Sequence, residues 1–310
     1  MDTAPLAAEI GVVAPRDGVF AGPLPGTLCL RRSAPSSLEN RRWRASLALV
    51  ASGVKELVLG GRTHALAPGD YTLTPVTLPL TSRFASATRD EPFLALLVEI
   101  DPVALSGVVA ELDSAKGAPA GPLRSVFAGR LTAPMLDAAA RLMRSFASPE
   151  AARVLGPGCV RELMYRVLCG PNGPAIRRFV QADSAAYRVA RAVYRIEASL
   201  ADELNITALA SEAGMSRTVF FEQFKRATAL SPVQYQKRLR LIRAQRLMVD
   251  DGATAEGAAY EVGYRSASQF SREYARMFGE PPFANATRLR RDEAREAAGA
   301  RPTSGGRPRR

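Results

Sequence analysis

Histidine is nearly absent from this chain of 310 residues: there is one, His64, beside three cysteines, Cys29, Cys159 and Cys169, and a single tryptophan, Trp43. One histidine excludes the sites of two or three histidines and a carboxylate that hold redox or hydrolytic metals. The three cysteines show no zinc spacing, and with one histidine they give no basis for a Cys–His nucleophile pair. An odd, sparse set of cysteines is not a disulfide framework either. Walker loops and dinucleotide fingerprints are missing. The apolar run "FLALLVEI" is eight residues long, far short of the roughly 20 that span a bilayer. The first residues lack the basic, apolar and small-residue succession of a signal peptide. These absences predict a protein of the cytoplasm that is not an enzyme, with no membrane partner, catalytic residue, metal or cofactor.

Positive charge is abundant and unevenly placed. The chain has 42 Lys and Arg against 30 Asp and Glu, a net +12. From Ala185 to the end there are 22 basic and 14 acidic residues, so eight of the twelve net charges fall in that part. Lys237, Arg238, Arg240, Arg243 and Arg246 form the densest run, with no acid among them. Such a run suits phosphate contact, which positions a protein on nucleic acid without reading its sequence.

The same part of the chain contains a repeat. "LASEAGMSRTVFFEQFKRATALSP" (Leu209 to Pro232) returns as "AAYEVGYRSASQFSREYARMFGEPP" (Ala258 to Pro282). A shift of 49 pairs Gly214 with Gly263; past the glycine a shift of 50 pairs Ser216 with Ser266, Phe220 with Phe270, Phe224 with Tyr274 and Pro232 with Pro282. Each copy predicts a short helix, a turn on glycine and a second helix capped by serine. Val219, Phe220 and Phe224 are expected to face inward in the first copy, and Phe270, Tyr274 and Met277 in the second. Two helix-turn-helix units follow. Between them "PVQYQKRLRLIRAQRLM" predicts one continuous helix with Val233, Tyr235, Leu239, Ile242 and Leu247 apolar, roughly 25 Å long at about 1.5 Å per residue.

On these residues the stretch from about Arg188 to Arg290 resembles the DNA-binding domain of AraC/XylS-type transcriptional regulators. "LASEAGMS", "FKRATALSPVQYQKRLRLIRAQRLM" and "VGYRSASQFSREYARMFGEPP" carry the resemblance. It implies double-stranded DNA as the partner, with the second helix of each unit in the major groove. Base-facing candidates are then Arg217, Thr218, Phe221 and Glu222 in the first head and Ser268, Ser271 and Arg272 in the second. Phosphate candidates are Ser216, Lys225, Lys237, Arg238, Arg265 and Ser266. Phe221 and Glu222 depart from the basic or polar residues usual at their positions, and Ala229 replaces a usual glycine whose counterpart, Gly279, is present.

The first hundred residues have another pattern. "VASGVKELVLGGRTHALAPGDYTLTP" alternates apolar and polar residues around Gly60-Gly61, a pair suited to a hairpin turn. With "YTLTPVTLPLTS" and "FLALLVEID" it predicts a small antiparallel barrel or sandwich of jelly-roll kind over roughly 40 to 100. From about Arg42 to Gly173 the chain resembles the cupin-like N-terminal domain of one group of AraC-type regulators. That resemblance implies a sensor for an unknown small-molecule effector, with Trp43, His64 and Tyr71 as candidate pocket residues.

Helical spacing follows in "DPVALSGVVAEL", "APMLDAAARLMRSFA" and "VRELMYRVLC", with breaks expected at "SPE", "GPG" and "GPNG". Leu136, Leu142 and Met143, or Leu163, Met164 and Val167, could form a homodimer seam or pack on the β domain.

The fold class expected is α+β multidomain: an N-terminal cupin-like antiparallel β barrel with a helical connector, and a C-terminal all-α domain with two helix-turn-helix units joined by a long helix. Its divisions are an N-terminal arm, partly disordered (1–39), the sensor (40–101), the connector (102–183), the double helix-turn-helix domain (184–290) and a disordered basic tail (291–310). The expected function is sequence-specific transcription regulation under ligand control, with RNA polymerase as a further partner. The alternatives are a ligand-independent regulator that dimerises through the barrel, or a cupin-type enzyme with an appended DNA-binding module.

Overall fold

The computed structural model describes residues 2–59, 62–112, 124–181 and 184–299. The chain forms two compact units, Met1–Ile242 and Arg243–Arg310.

The first unit opens with α1 (Ala4–Val13), which carries proline in its first turn, where a missing N–H is harmless. Leu6 and Ile10, four residues apart, bury one face of it. Nine strands follow: β1 (Gly18–Ala21), β2 (Thr27–Arg32), β3 (Glu39–Trp43), β4 (Ser46–Ser52), β5 (Val54–Leu59), β6 (Arg62–Leu66), β7 (Asp70–Thr74), β8 (Leu78–Ser86) and β9 (Phe93–Glu99). After α2 (Pro102–Glu111) comes β10 (Phe127–Arg130). All pairings are antiparallel, in a six-stranded sheet ordered β1-β2-β9-β4-β7-β10 and a four-stranded sheet ordered β3-β8-β5-β6.

The expected barrel is therefore a two-sheet sandwich. β1 and β10 end one sheet and β3 and β6 the other, so neither closes on itself. β4 and β5 belong to different sheets, and the chain turns the corner at Gly53. There φ is +70°, and a Cβ would stand 2.6 Å from the Phe93 Cα, so no other residue fits. Pleat alternation then sorts the central strands. Leu47 and Leu49 of β4 pair in register with Val98 and Leu96 of β9 and face the side that α1 covers, while Val50 and Ala95 face the second sheet. With both faces covered, β4 is buried almost throughout, which is why it reads as a near-continuous apolar run.

Three expectations about the N-terminal half are corrected. Residues 1–39 are an integral part of the domain, since α1 packs on the six-stranded sheet, β1 and β2 belong to it, and the Thr3 hydroxyl donates to the Ala51 carbonyl at 2.8 Å. The sheet also extends past residue 101, to β10. The predicted break at "GPG" is absent, because α4 (Pro149–Cys169) runs through it with Pro157 inside. Gly156 lies there under Leu24, whose Cδ2 would be 2.9 Å from an added Cβ. Gly60 and Gly61 lie outside the described residues, although β5 and β6 pair on either side of them.

Asp101 caps α2 as expected, its carboxylate accepting from the Val103 N–H at 2.8 Å. With α3 (Ala133–Ser145) and α5 (Gly173–Arg177), α4 completes the connector. Leu142, Met143, Leu163, Met164 and Val167 are buried in this chain's own core, and Leu136 packs on it, so these residues are not a homodimer seam. Cys29 and Cys159 are buried, Cys169 is exposed, and all three are free.

The first unit continues through α6 (Ala185–Ala198), α7 (Ile206–Glu212) and α8 (Arg217–Thr228) into α9 (Pro232–Val249), one unbroken helix within which the division between units falls. The second unit contains α10 (Ala255–Glu261), α11 (Ala267–Phe278) and α12 (Pro282–Gly299). The expected disordered tail is thus helical as far as Gly299, and the remaining residues lie outside those described.

Candidate nucleic-acid interface and sensor interior

Each copy of the repeat folds as a helix-turn-helix. In the first, the Asn205 side chain caps α7 by accepting from the Ala208 N–H at 2.9 Å, Gly214 turns the chain at φ +59°, and Ser216 caps α8. In the second, Thr254 caps α10, Gly263 turns at φ +89° and Ser266 caps α11. Phe220 and Phe224 are fully buried, as are Phe270 and Tyr274 at the matching positions, and neighbouring rings touch at centroid distances of 5.7 and 5.4 Å. These rings fix which face of each second helix looks outward.

That face differs from the expected one at Val219, Phe221 and Ser271. Val219, predicted inward, is 44% exposed, whereas Phe221, predicted base-facing, is half-buried against the core. The reason is angular: a helix advances about 100° per residue, so with Phe220 and Phe224 inward, 219 falls beyond the buried arc and 221 at its edge. Val233, one of the apolar residues of α9, is also exposed. Ser216, Arg217, Thr218, Glu222 and Lys225 are exposed as expected, and so are Arg265, Ser266, Ser268 and Arg272; Ser271 is half-buried. Lys237 and Arg238 are exposed on α9.

The sequence reading missed Gln269, which is exposed in the first turn of α11 at the counterpart of Val219. Arg226 and Arg276, exposed in the last turns of α8 and α11, were also missed. The shift of 50 that pairs the two copies would have exposed both omissions.

Behind each head lies a different polar arrangement. In the second unit Asn285 is buried, accepting from the Tyr274 hydroxyl and the Gln245 amide at 2.8 Å each and donating to Glu280 at 3.2 Å. Burial raises the Tyr274 hydroxyl pKa, and the Asn285 amide, then Arg288, holds Glu280 below the usual carboxylate range. In the first unit the counterpart of Asn285 is Tyr235, fully buried, with its ring 5.5 Å from that of Phe224. Its hydroxyl donates to the Thr77 carbonyl of the β domain at 2.8 Å and lies 3.4 Å from Glu197, and burial raises its pKa. Two further contacts join the β domain and connector to this head: Arg42 pairs with Glu197 at 3.5 Å, and the Ser125 hydroxyl donates to the Ala227 carbonyl.

The three expected pocket residues do not converge. His64 is exposed on the edge strand β6, and Tyr71 faces the helical side of the six-stranded sheet, filling the space beside Gly129. Trp43 does border the sandwich interior, where its ring lies 4.7 Å from the Nζ of Lys55. Sequence reasoning missed Lys55, which is 9% exposed on a strand whose neighbouring inward residue is Leu57. A separate apolar cleft of about 240 Å³ lies between the β domain and α6, lined by Pro75, Ile100, Leu105, Tyr187, Arg191 and Tyr194 among others. Among the described residues there is no cluster of three or more His, Cys, Asp or Glu side chains placed to hold a metal, and no helix is long and apolar enough to cross a membrane.

A two-sheet β domain followed by two capped helix-turn-helix heads defines a class of multidomain helix-turn-helix protein. Residues 23–175 match the family of AraC-type transcriptional regulator N-termini, and residues 209–291 match a helix-turn-helix domain family. The chain belongs to the AraC-type transcriptional regulators.

It is 31% identical over 100 residues to the HTH-type transcriptional activator RhaS of Escherichia coli, in O1:K1 / APEC and in strain HS alike. That match covers 32% of this chain and spans only 36% of the length of those relatives. Among solved structures, unsaturated fatty acid-bound ToxT from Vibrio cholerae strain SCE256 aligns with a TM-score of 0.57 at 10% identity, over 87% of this chain and 96% of that one. ToxT from Vibrio cholerae O395 bound to (E)-4-(8-methylnaphthalen-1-yl)but-3-enoic acid aligns at 0.55 and 13%, over 85% and 98%. These likenesses show the fold.

Proposed function

We propose that this chain regulates transcription by reading duplex DNA with both heads, and that a small molecule held in the β domain controls that reading. The observation that carries the proposal is the repeated, capped second helix with an exposed polar face: Arg217, Thr218 and Glu222 on α8, and Ser268, Gln269 and Arg272 on α11. Arg272 suits the O6 and N7 of guanine, Gln269 the N6 and N7 of adenine, and Val219 a thymine methyl, while Glu222 can accept from a cytosine amino group. Half-buried Phe221 and Ser271 support these helices from their flanks. Ser216, Lys225, Lys237, Arg238, Arg265 and Ser266, joined by Arg226 and Arg276, supply phosphate contacts.

Ligand control is supported by the contacts inside the first unit. A change in the sandwich can reach α9 through Thr77 and Tyr235, α6 through Arg42 and Glu197, and α8 through Ser125 and Ala227. A small organic effector is the matching ligand class, as the ToxT structures contain such molecules. RNA polymerase is the proposed partner at the promoter, a homodimer the proposed form, and the cytoplasm the proposed setting.

The test is to select sites from a random duplex pool and titrate wild type and Arg272→Ala against selected and random DNA as salt is varied. Arg272→Ala should lose about 1–3 kcal/mol on the selected site and little on random DNA. Equal losses on both would reduce Arg272 to a phosphate contact. Failure of the wild type to enrich any sequence would overturn the base-reading proposal.

A further inference from the structure

The sandwich interior holds an apolar cluster that includes Leu30, Val50, Leu57, Leu66, Phe84 and Phe93, and beside it a set of small and polar side chains. Its inward positions include Ser46, Ala48, Thr72, Thr74, Ser82 and Ala95, all buried. Into this space β5 sends Lys55. Its Nζ lies 4.6 Å from the ring centroid of Phe84, 4.7 Å from that of Trp43 and 6.0 Å from that of Phe93. Among the described residues no carboxylate pairs with it. The one acid that bears on it, Glu39 of β3, is already hydrogen-bonded to Arg41 at 2.8 Å, and Arg41 and Arg32 (β2) add positive charge. In register beside Lys55 the neighbouring strands place only Leu66 (β6) and Phe84 (β8), and β9 adds Phe93.

An ammonium has three donors, and burying it without an acceptor is costly. Ring faces offset part of that cost by cation–π attraction, but they accept no strong hydrogen bond. Lys55 is therefore half of an ion pair whose other half is an anion, set among ring faces that suit an apolar body. We propose that the sandwich interior binds an apolar carboxylate, with its charged group on Lys55 and its body against Trp43, Phe84 and Phe93. This deepens the ligand-control reading and rests on it.

Binding should depend on pH. In the protein alone burial, then Arg41 and Arg32, holds the Lys55 ammonium down at about 7, with Glu39 opposing. A bound carboxylate favours the charged form, so binding takes up a proton above that pH and weakens as pH rises.

The experiment uses the full chain and Trp43, its only tryptophan, as the fluorescent reporter, with calorimetry as a second readout. Butanoate, dodecanoate and 1-naphthoate are titrated, with dodecan-1-ol as the uncharged control. At least one carboxylate should saturate the wild type. Its dissociation constant should rise roughly 25-fold between pH 6.5 and 8.5. It should rise at least as much in Lys55→Met at pH 6.5, and Lys55→Arg should recover part of the loss.

Equal affinity in Lys55→Met, equal binding of the alcohol, or no saturation by any carboxylate up to 1 mM would overturn the site. DNA affinity measured alongside separates the two readings: loss of the Lys55 effect with intact DNA selection defeats only the site. Lys55-dependent binding that leaves DNA affinity unchanged supports the site and defeats ligand control.

Discussion

Replacing Lys55 with methionine should stabilise the sandwich, by an amount that shrinks as pH rises. Methionine keeps a long apolar stem and removes the charge. The ammonium is held down from 10.5 to about 7, chiefly by burial, with Arg41 and Arg32 adding to the shift and Glu39 opposing it. In the unfolded chain the same group titrates near about 10.4. Between those values the unfolded chain binds a proton that the folded chain does not, so wild-type stability rises with pH across the window from 7 upward. The slope is about 1.4 kcal/mol per pH unit. Below pH 7 the whole penalty stands, on the order of 3–5 kcal/mol.

Lys55→Met escapes that penalty, so its advantage should be about 3–5 kcal/mol at pH 6.5 and about 1–3 kcal/mol at pH 8.5. Urea denaturation followed by Trp43 fluorescence at four pH values measures it. An advantage that does not change with pH would show that Lys55 carries no such burden. A loss of stability would show that the ammonium has an acceptor in the folded protein.

Three further outcomes are expected. Ala229 sits at φ +61°, the left-handed region, with its N–H on the Lys225 carbonyl at 2.8 Å. Ala229→Gly should therefore gain about 0.5–1 kcal/mol in denaturation, as relief of strain exceeds the added chain entropy. Asn285→Ala leaves the buried Tyr274 hydroxyl and the Gln245 amide without their acceptor and should cost about 2–3 kcal/mol, seen as faster amide exchange in α11 and α12. Tyr235→Phe keeps the ring contact with Phe224 and deprives the buried Thr77 carbonyl of its donor. It should cost about 1–2 kcal/mol and raise exchange at the N-terminal end of α9; unchanged exchange there would remove Tyr235 from the path between sandwich and head.

The heads were legible because their signals are local. Ser216 and Ser266 cap, Gly214 and Gly263 turn, and Phe220 and Phe270 bury within the same few residues that encode them. Hydrophobicity alone puts Val219 inward, although the repeat places polar Gln269 opposite it, and Phe221 is base-facing only by the position that the family resemblance implies. The sandwich was less legible for a different reason. β2 pairs with β9 across more than sixty residues of chain, and α1 gains its burial only from strands that come later. Residues 1–39, rich in proline and glycine, therefore resemble an unstructured arm when read locally. Lys55 was invisible because a lysine in a strand is ordinarily an outward residue, and only the placement of Trp43, Phe84 and Phe93 around it shows that this one is not.

The two copies of the repeat diverge most informatively at one matched position. In the second unit Asn285 has both ends of its amide bonded, to Tyr274 and Gln245 on one side and to Glu280 on the other, so the position serves the head's own rigidity. In the first unit phenylalanine replaces Tyr274 at 224, which removes the hydroxyl that an asparagine would have accepted from. Tyr235 can then pack its ring on Phe224 and send its own hydroxyl outward, where it meets the carbonyl of Thr77 at 2.8 Å. The first unit thus makes at this position a bond to the β domain, where the second makes one within the head. Thr77 lies between β7, whose Thr72 and Thr74 are buried on the face toward the second sheet, and β8, whose Phe84 ring lies against Lys55. A ligand that spreads those strands would move the carbonyl that fixes α9, and would do so at the head that makes this contact outward rather than within itself.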